Sequence, residues 1–131
     1  MAEIISLATY ADARGKLTVI DRVLPFPMVR IFYIYGVDES QRGGHRHITT
    51  RQAAICIQGS CKIYNNNGEK EEVFVLDTPT RCLILEPEDW HTMFDFSPDA
   101  ILMVIASEPF NKADYIYEPY PDTLRKPQES K

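Results

Sequence analysis

His45 and His47 stand two residues apart in the run Arg42-Gly-Gly-His-Arg-His47, and with His91 they are the only histidines of the chain. In a β-strand, residues i and i+2 point to one face, so a strand here aims two imidazoles into the same space. His91 follows Pro87 in a second apolar stretch, and all three rings are expected to line one cavity. Such a cluster suits either metal binding or proton transfer, because imidazole is both a common metal ligand and a base whose pKa of about 6.5 lies near working pH. Plainer readings stand beside these. The pair could be satisfied by backbone groups, and His91 could merely pack beside Trp90. Gln52 is either a buried polar group needing partners or a substrate contact.

The elements that must position these rings read as short strands. Residues 3–7 and Lys16 to Ile20 are apolar runs around a turn at Asp12-Ala-Arg14-Gly15. Val29 to Tyr35 is β-branched and aromatic throughout, a strong strand signal. Ile31, Tyr33 and Tyr35 share one of its faces, which is compatible with Tyr33 pointing inward. A polar, glycine-bearing loop then leads into the histidine strand. Further strands follow at Arg51 to Gln58, Cys61 to Tyr64, Glu71 to Leu76, Arg81 to Leu85, the stretch from Trp90, and Ala100 to Ala106. Asn67-Gly68 supplies a hairpin signal between two of them. Lys112 to Tyr117 is a short helix or an irregular segment stopped by Pro119 and Pro121, and the charged tail from about Leu124 reads as frayed. Many short strands with a turn every eight to twelve residues predict an all-β sandwich or barrel.

Bulk properties narrow the function classes. A chain of 131 residues, 44% apolar and 25% charged, reads as one soluble globular domain, 1–131. A net charge of −5 argues against nucleic-acid or membrane-surface binding. It leaves room for an anionic small ligand held by local arginines. No apolar run is long enough to span a membrane, and the N-terminus lacks a signal-peptide pattern, so the expected location is the cytoplasm. Three cysteines, Cys56, Cys61 and Cys82, with no Cys-x-x-Cys pair, read as buried reduced thiols.

The spacing His45-x-His47-x4-Gln52-x6-Gly59 resembles the first motif of the cupin superfamily, and Pro87…His91 resembles the second. Metal-binding cupins carry a glutamate where Gln52 stands. Gln52 is a weaker ligand, although three histidines can still hold zinc. A longer set of segments resembles the TDP-4-keto-6-deoxyhexose 3,4-ketoisomerases. It comprises Asp12-Ala-Arg-Gly-Lys-Leu17, Arg30-Ile-Phe-Tyr-Ile34, the histidine run, Ile57-Gln-Gly-Ser-Cys61, Trp90-His91-Thr-Met-Phe-Asp95, Met103-Val-Ile-Ala-Ser107 and Asp114-Tyr115-Ile116. Arg46 departs from it, since many members carry a small residue there. On a regular strand Arg46 points away from the cavity.

That resemblance implies a cupin-type jelly-roll β-barrel, dimeric, with N-terminal strands exchanged between subunits. It implies an isomerase without metal or other cofactor that moves a keto group from C4 to C3 of a dTDP-linked 6-deoxysugar, supplying 3-amino-3,6-dideoxysugars of bacterial surface polysaccharides. By the same likeness His47 is the base at C3 and Tyr33 the proton carrier at C4. His45 orients or donates to the sugar oxygens, and Arg42 binds the pyrophosphate or a sugar oxygen. Arg14 and His91 influence the face protonated at C4, a pairing that resembles the subset giving the galacto-configured product. Trp90 is expected as a cavity wall. Two other functions remain open: a metal-dependent cupin, either a dioxygenase or a sugar-phosphate isomerase, and a non-catalytic sugar-binding cupin.

Overall fold

The computed structural model describes residues 2–121, so the expectation of a frayed tail lies outside the described residues. Twelve strands follow in chain order: β1 (Glu3–Ser6), β2 (Ala8–Asp12), β3 (Gly15–Val19), β4 (Arg30–Ile34), β5 (Arg42–His47), β6 (Gln52–Gln58), β7 (Cys61–Asn66), β8 (Glu71–Leu76), β9 (Arg81–Leu85), β10 (Trp90–Phe94), β11 (Ile101–Ala106) and β12 (Tyr115–Ile116). One 3-10 turn, Lys112–Asp114, precedes β12. The strands form two five-stranded sheets, ordered β1-β9-β6-β11-β4 and β12-β5-β10-β7-β8. Every ladder is antiparallel.

The sheets enclose a core to which both contribute: Ala54, Cys56, Leu102 and Val104 from one, Cys61, Ile63, Leu76 and Met93 from the other. Fully burying one such aliphatic side chain contributes roughly 1.5–3 kcal/mol. A second apolar cluster, including Ile55, Ile84, Ile105 and Phe26, covers the outer face of the first sheet. The three cysteines are buried and free, as expected.

Alternation on β4 resolves against the inward reading of Tyr33. Phe32 and Ile34 lie opposite Val104 and Leu102 of β11, both fully buried. Cross-strand partners share a face, so Phe32 and Ile34 turn into the core. Ile31, Tyr33 and Tyr35 are left outside, at 57%, 62% and 69% exposure. The three do share one face, but it is the outer one.

The β2–β3 hairpin stands apart. Among the described residues it pairs only with itself, and β2 is exposed along its whole length. Arg14, at its tip, is held by Asp12, with guanidinium to carboxylate at 2.6 Å.

Candidate active site

The histidine strand carries a break in its alternation. His45 pairs with His91 and Gly43 with Thr92, so Gly44 is an extra residue with no partner across the ladder. Such a bulge re-aims the side chains beyond it. Arg42 pairs with Met93, which shares a face of β10 with His91. Arg42 therefore lies on the face of the histidines, where strict alternation would send it to the other side. Glycine makes this possible: Gly43 and Gly44 have φ of +84° and +87°, and a Cβ on Gly43 would stand 3.0 Å from the His91 carbonyl oxygen.

On that face the rings gather. The His45 centroid is 5.0 Å from those of both His47 and His91, and His47 is 6.4 Å from His91. β12 and the residue after it add two phenols. Tyr115 lies directly opposite His47 in the ladder, its ring 4.7 Å from both His45 and His47. Tyr117 stacks on Tyr115 at 6.0 Å.

His47 is oriented by a buried carboxylate. Its Nδ1 is 2.8 Å from Asp114 Oδ2. Asp114 also accepts from Thr50 Oγ1 at 2.5 Å, from the Ile48 and Thr49 amides, and from Thr49 Oγ1. Burial pushes the Asp114 carboxyl up, but these donors outweigh it and hold it below the usual carboxylate range. An ionised carboxylate only accepts, so His47 Nδ1 carries the proton and Nε2 presents its lone pair. Likewise His91 Nδ1 donates to the Asp89 carbonyl at 3.0 Å. The Nε2 atoms of both rings are buried without a partner among the described residues, as is Gln52 Oε1.

The environment keeps these rings neutral. Burial, then the neighbouring His91 and His47, push His45 down to about 3. Burial brings His91 down to about 4, against the pull of the Asp89 carbonyl. His47 is lowered mainly by burial, which the bond to Asp114 and its charge oppose and which the nearby Arg30 guanidinium reinforces. The arrangement is a set of uncharged imidazoles, one of them backed by a carboxylate, suited to taking a proton from carbon. Among the described residues no group of three or more His, Cys, Asp or Glu side chains is arranged to hold a metal ion.

The family described as "FdtA: WxcM-like, C-terminal" matches residues 1–123. The chain belongs to this family. A TDP-4-oxo-6-deoxy-alpha-D-glucose-3,4-oxoisomerase from Aneurinibacillus thermoaerophilus is 35% identical to this FdtA-like chain over 117 residues, 87% of this chain and 84% of the relative. A solved 3,4-ketoisomerase from Helicobacter canadensis superposes with a TM-score of 0.86 at 32% identity, covering 89% of this chain and 90% of that one. A variant of the 3,4-ketoisomerase from Thermoanaerobacterium thermosaccharolyticum, in complex with TDP-4-keto-6-deoxyglucose, also gives 0.86, at 35% identity over 89% of this chain and 87% of that one. The fold of this FdtA-like chain is accordingly the cupin-type jelly roll.

Of the residues singled out in the sequence, the structure brings His45, His47 and His91 together and turns Arg42 to their face. Gln52 is buried on the face of β6 shared with Ala54 and Cys56, between the sheets. Two assignments need correction. Tyr33 is on the outer face of β4, so its phenol does not join the rings. Trp90 alternates with His91 on β10 and lies on the outer side, its Nε1 donating to the Tyr117 carbonyl at 3.0 Å; it is no wall of the histidine cavity. Arg14, at the hairpin tip, is not part of the cluster within one chain. Arg46 points away from the rings, as expected, and stacks on Tyr120 at 4.7 Å.

Sequence reasoning counted Asp114, Tyr115 and Arg30 among the segments of the resemblance but gave them no role. Arg30 lies on the inner face of β4 with Phe32. Its Nε is buried without a partner among the described residues, and its guanidinium packs over Phe32 and Phe110. The alternation that puts Phe32 inside also puts Arg30 inside, but the pairing with β11 is what decides that face. A recess of about 700 Å³ lies elsewhere, lined by Val37, Asp38, Glu39, Ser40, Phe96 and Pro98. Its two carboxylates make it a poor place for an anion.

Proposed function

We propose that the protein is a sugar-nucleotide 3,4-ketoisomerase that converts TDP-4-keto-6-deoxy-D-glucose into the TDP-3-keto-6-deoxyhexose. The observation that carries this reading is His47, its Nδ1 on the Asp114 carboxylate and its Nε2 buried with no partner among the described residues, amid neutral rings. Its similarity to the Aneurinibacillus thermoaerophilus oxoisomerase supports the substrate.

The C4 carbonyl acidifies the C3 hydrogen. His47 Nε2 takes that proton, and the electron pair forms a C3–C4 double bond with charge on O4. O4 is then protonated, the O3–H bond breaks as its electron pair forms the carbonyl at C3, and an acid returns a proton to C4. Acid–base catalysis of this kind contributes about 10²–10⁴-fold, and donors aimed at the developing oxyanion commonly contribute more. His45 and Gln52 are assigned to the sugar oxygens and Arg42 to the pyrophosphate, for which a planar, permanently charged fork is suited. Arg42 and His45 stand opposite Met93 and His91, two ladder positions or about 7 Å apart along the sheet, and the length of the arginine side chain adds to the room for a hexose between pyrophosphate and rings.

The galacto product is assigned to the pair Arg14 and His91. For Arg14 to reach a sugar, the unpartnered hairpin must sit against a second copy of the chain, so a homodimer of single-domain subunits belongs to this reading. The exposed apolar residues of the hairpin, Tyr10 and Leu17, are consistent with it. A cytoplasmic location is assigned with the same reading. No helix among the described residues is long and apolar enough to cross a membrane.

The test is proton NMR of the EDTA-treated protein with TDP-4-keto-6-deoxyglucose in D2O. The expected result is a 3-keto sugar carrying deuterium at C4, with coupling constants that report the C4 configuration. An unchanged sugar at high protein concentration would overturn the reading.

A further inference from the structure

The outer face of the second sheet takes no part in the histidine cluster, and it carries a recess of about 470 Å³. We infer that this recess is a second binding site, for a small organic cation of the quaternary ammonium class. Alternation builds it. His91 and Met93 of β10 turn inward, so Trp90 and Phe94 turn outward. Asn66 of β7 lies across from Trp90, and Glu71 of β8 lies across from Asn66. Directly opposed side chains stand on one side of a sheet. The row Trp90, Asn66, Glu71 therefore crosses three strands with its shortest side chain in the middle, and Asn66, only 3% exposed, is the floor. Tyr64 closes a side: its hydroxyl donates to the Glu71 carboxylate and accepts from Asn66 Nδ2 at 3.3 Å.

The chemistry of the lining selects the ligand. Three aromatic rings border the recess, those of Tyr64, Trp90 and Phe94, and among the described residues that line it Glu71 alone is charged. The Tyr64 and Trp90 rings have centroids 6.1 Å apart and planes at 77°, so two walls stand nearly at right angles. Ring faces are electronegative and attract cations, Trp most strongly. The Glu71 carboxylate has the same sign, and an anionic ligand would meet it with no lining cation to offset it. The floor is already committed, since Asn66 Oδ1 accepts from the Gly68 amide at 2.8 Å and Nδ2 donates to Tyr64. A quaternary ammonium group asks for no hydrogen bond from that floor. It spreads its charge over methyl groups that fit apolar walls. The same face already makes one contact of this kind within the chain, Arg46 over Tyr120 at 4.7 Å. The volume suits a small molecule, for which sites run from about 300 to 1,000 Å³.

Binding here is independent of the ketoisomerase reading, because the recess and the histidines lie on opposite sides of β10. Protein that proved inert toward the nucleotide sugar would overturn that reading and leave this one standing. The site also contains its own reporter. Trp90 is the one tryptophan of the chain, and it is held in place by its Nε1 donating to the Tyr117 carbonyl at 3.0 Å. A cation seated against its ring changes its fluorescence directly.

The experiment titrates the fluorescence of the full chain with choline chloride and, separately, with 3,3-dimethylbutan-1-ol, the neutral carbon isostere of choline, with NaCl holding the ionic strength constant. Choline should give a saturable change with a midpoint on the order of 1–10 mM, the affinity that a few cation–π contacts and one carboxylate supply. The isostere should bind at least about tenfold more weakly, since it fills the same shape without the charge. Glu71→Gln should weaken choline by roughly fivefold or more, whereas His47→Asn should leave the midpoint where it is. The inference is overturned if choline gives no saturable change, or if the isostere binds as tightly, which would make the recess merely apolar. It is equally overturned if Glu71→Gln titrates like wild type, or if His47→Asn moves the midpoint, which would put the cation among the histidines. The comparison of choline with its isostere needs no variant, so the test stands even where a substitution prevents folding.

Discussion

Strands β4 and β5 carry the residues that looked most like chemistry, and they treat side-chain alternation in opposite ways. On β4 the alternation is regular, and Ile31, Tyr33 and Tyr35 do share a face, but β11 decides that this face is outside. On β5 the alternation is interrupted at Gly44, and the interruption brings Arg42 onto the face of His45 and His47. Periodicity reports which residues share a face. The neighbouring strand reports which face is buried, and a bulge changes the count. The consequence is that β5 and its partners gather the histidines, while the tyrosines of β4 are surface groups of one chain.

The largest expected effect sharpens the β5 side. His47→Asn should lower kcat by about 10²–10⁴-fold while leaving ligand affinity nearly unchanged. The measurement pairs turnover with calorimetric binding of TDP-4-keto-6-deoxyglucose. If His45→Asn proved to be the variant that stops exchange of the C3 proton while His47→Asn still exchanged it, the base would be the other member of the pair.

Next in size is the carboxylate behind the base. Asp114→Asn removes the charge that fixes the His47 tautomer and presents an amide to donors that need an acceptor. Loss of such an orienting partner typically costs 10–100-fold. A fall of roughly that size in kcat, with KM little changed, is expected. Equal activity would show that Asp114 serves only to anchor the turn.

The bulge itself can be broken. Gly43→Ala places a methyl 3.0 Å from the His91 carbonyl oxygen and 3.3 Å from Thr92 Cα at a φ of +84°. Strain of this kind costs about 1–3 kcal/mol. Gly44→Ala has a similar φ but meets only Trp90 Cζ2, at 3.9 Å. Urea unfolding should therefore show Gly43→Ala to be the less stable of the two, and KM should rise more for it as β10 moves away from His45. Identical midpoints would mean that the close approach to β10 is not what the glycine is for.

The fold and the clustering of the histidines were legible because they rest on local signals. His-x-His on a strand, an Asn-Gly hairpin and turns at short intervals all act within a few residues, and the all-β architecture follows from them. What was not legible is long-range. Asp114 reaches His47 across 67 residues of sequence, and no pattern near either one announces the pair. Tyr115 enters only because β12 closes the edge of the second sheet beside β5. Tyr33 was assigned to the site by family likeness, and the parity that was compatible with it is blind to the choice of face. Arg42 does turn to the face of the histidines, although the adjacent glycines that bring it there were read as loop rather than as a bulge inside the strand.

The smallest effect separates the two strands by pH. Burial holds His91 at about 4 in the folded chain, against about 6.5 when unfolded. As pH falls, the unfolded chain takes up the proton first, so stability drops. The contribution is fully present above about pH 6.5 and is lost progressively towards pH 4. Between pH 7 and pH 5 the loss from His91 is on the order of 1–2 kcal/mol. His45 is displaced in the same direction, but it is partly exposed and contributes less than its displacement suggests. Urea midpoints measured across this range should fall for the wild type and fall less steeply for His91→Gln. A surface substitution on β4, such as Tyr35→Phe, should leave the slope as it is. The same depressed pKa values place the acid limb of kcat/KM below pH 6.5, because the rings remain neutral and able to accept a proton there. If the limb instead lay near 6.5 and the two urea profiles ran parallel, the histidine face would be as open to water as the outer face of β4, and the contrast between the strands would fail.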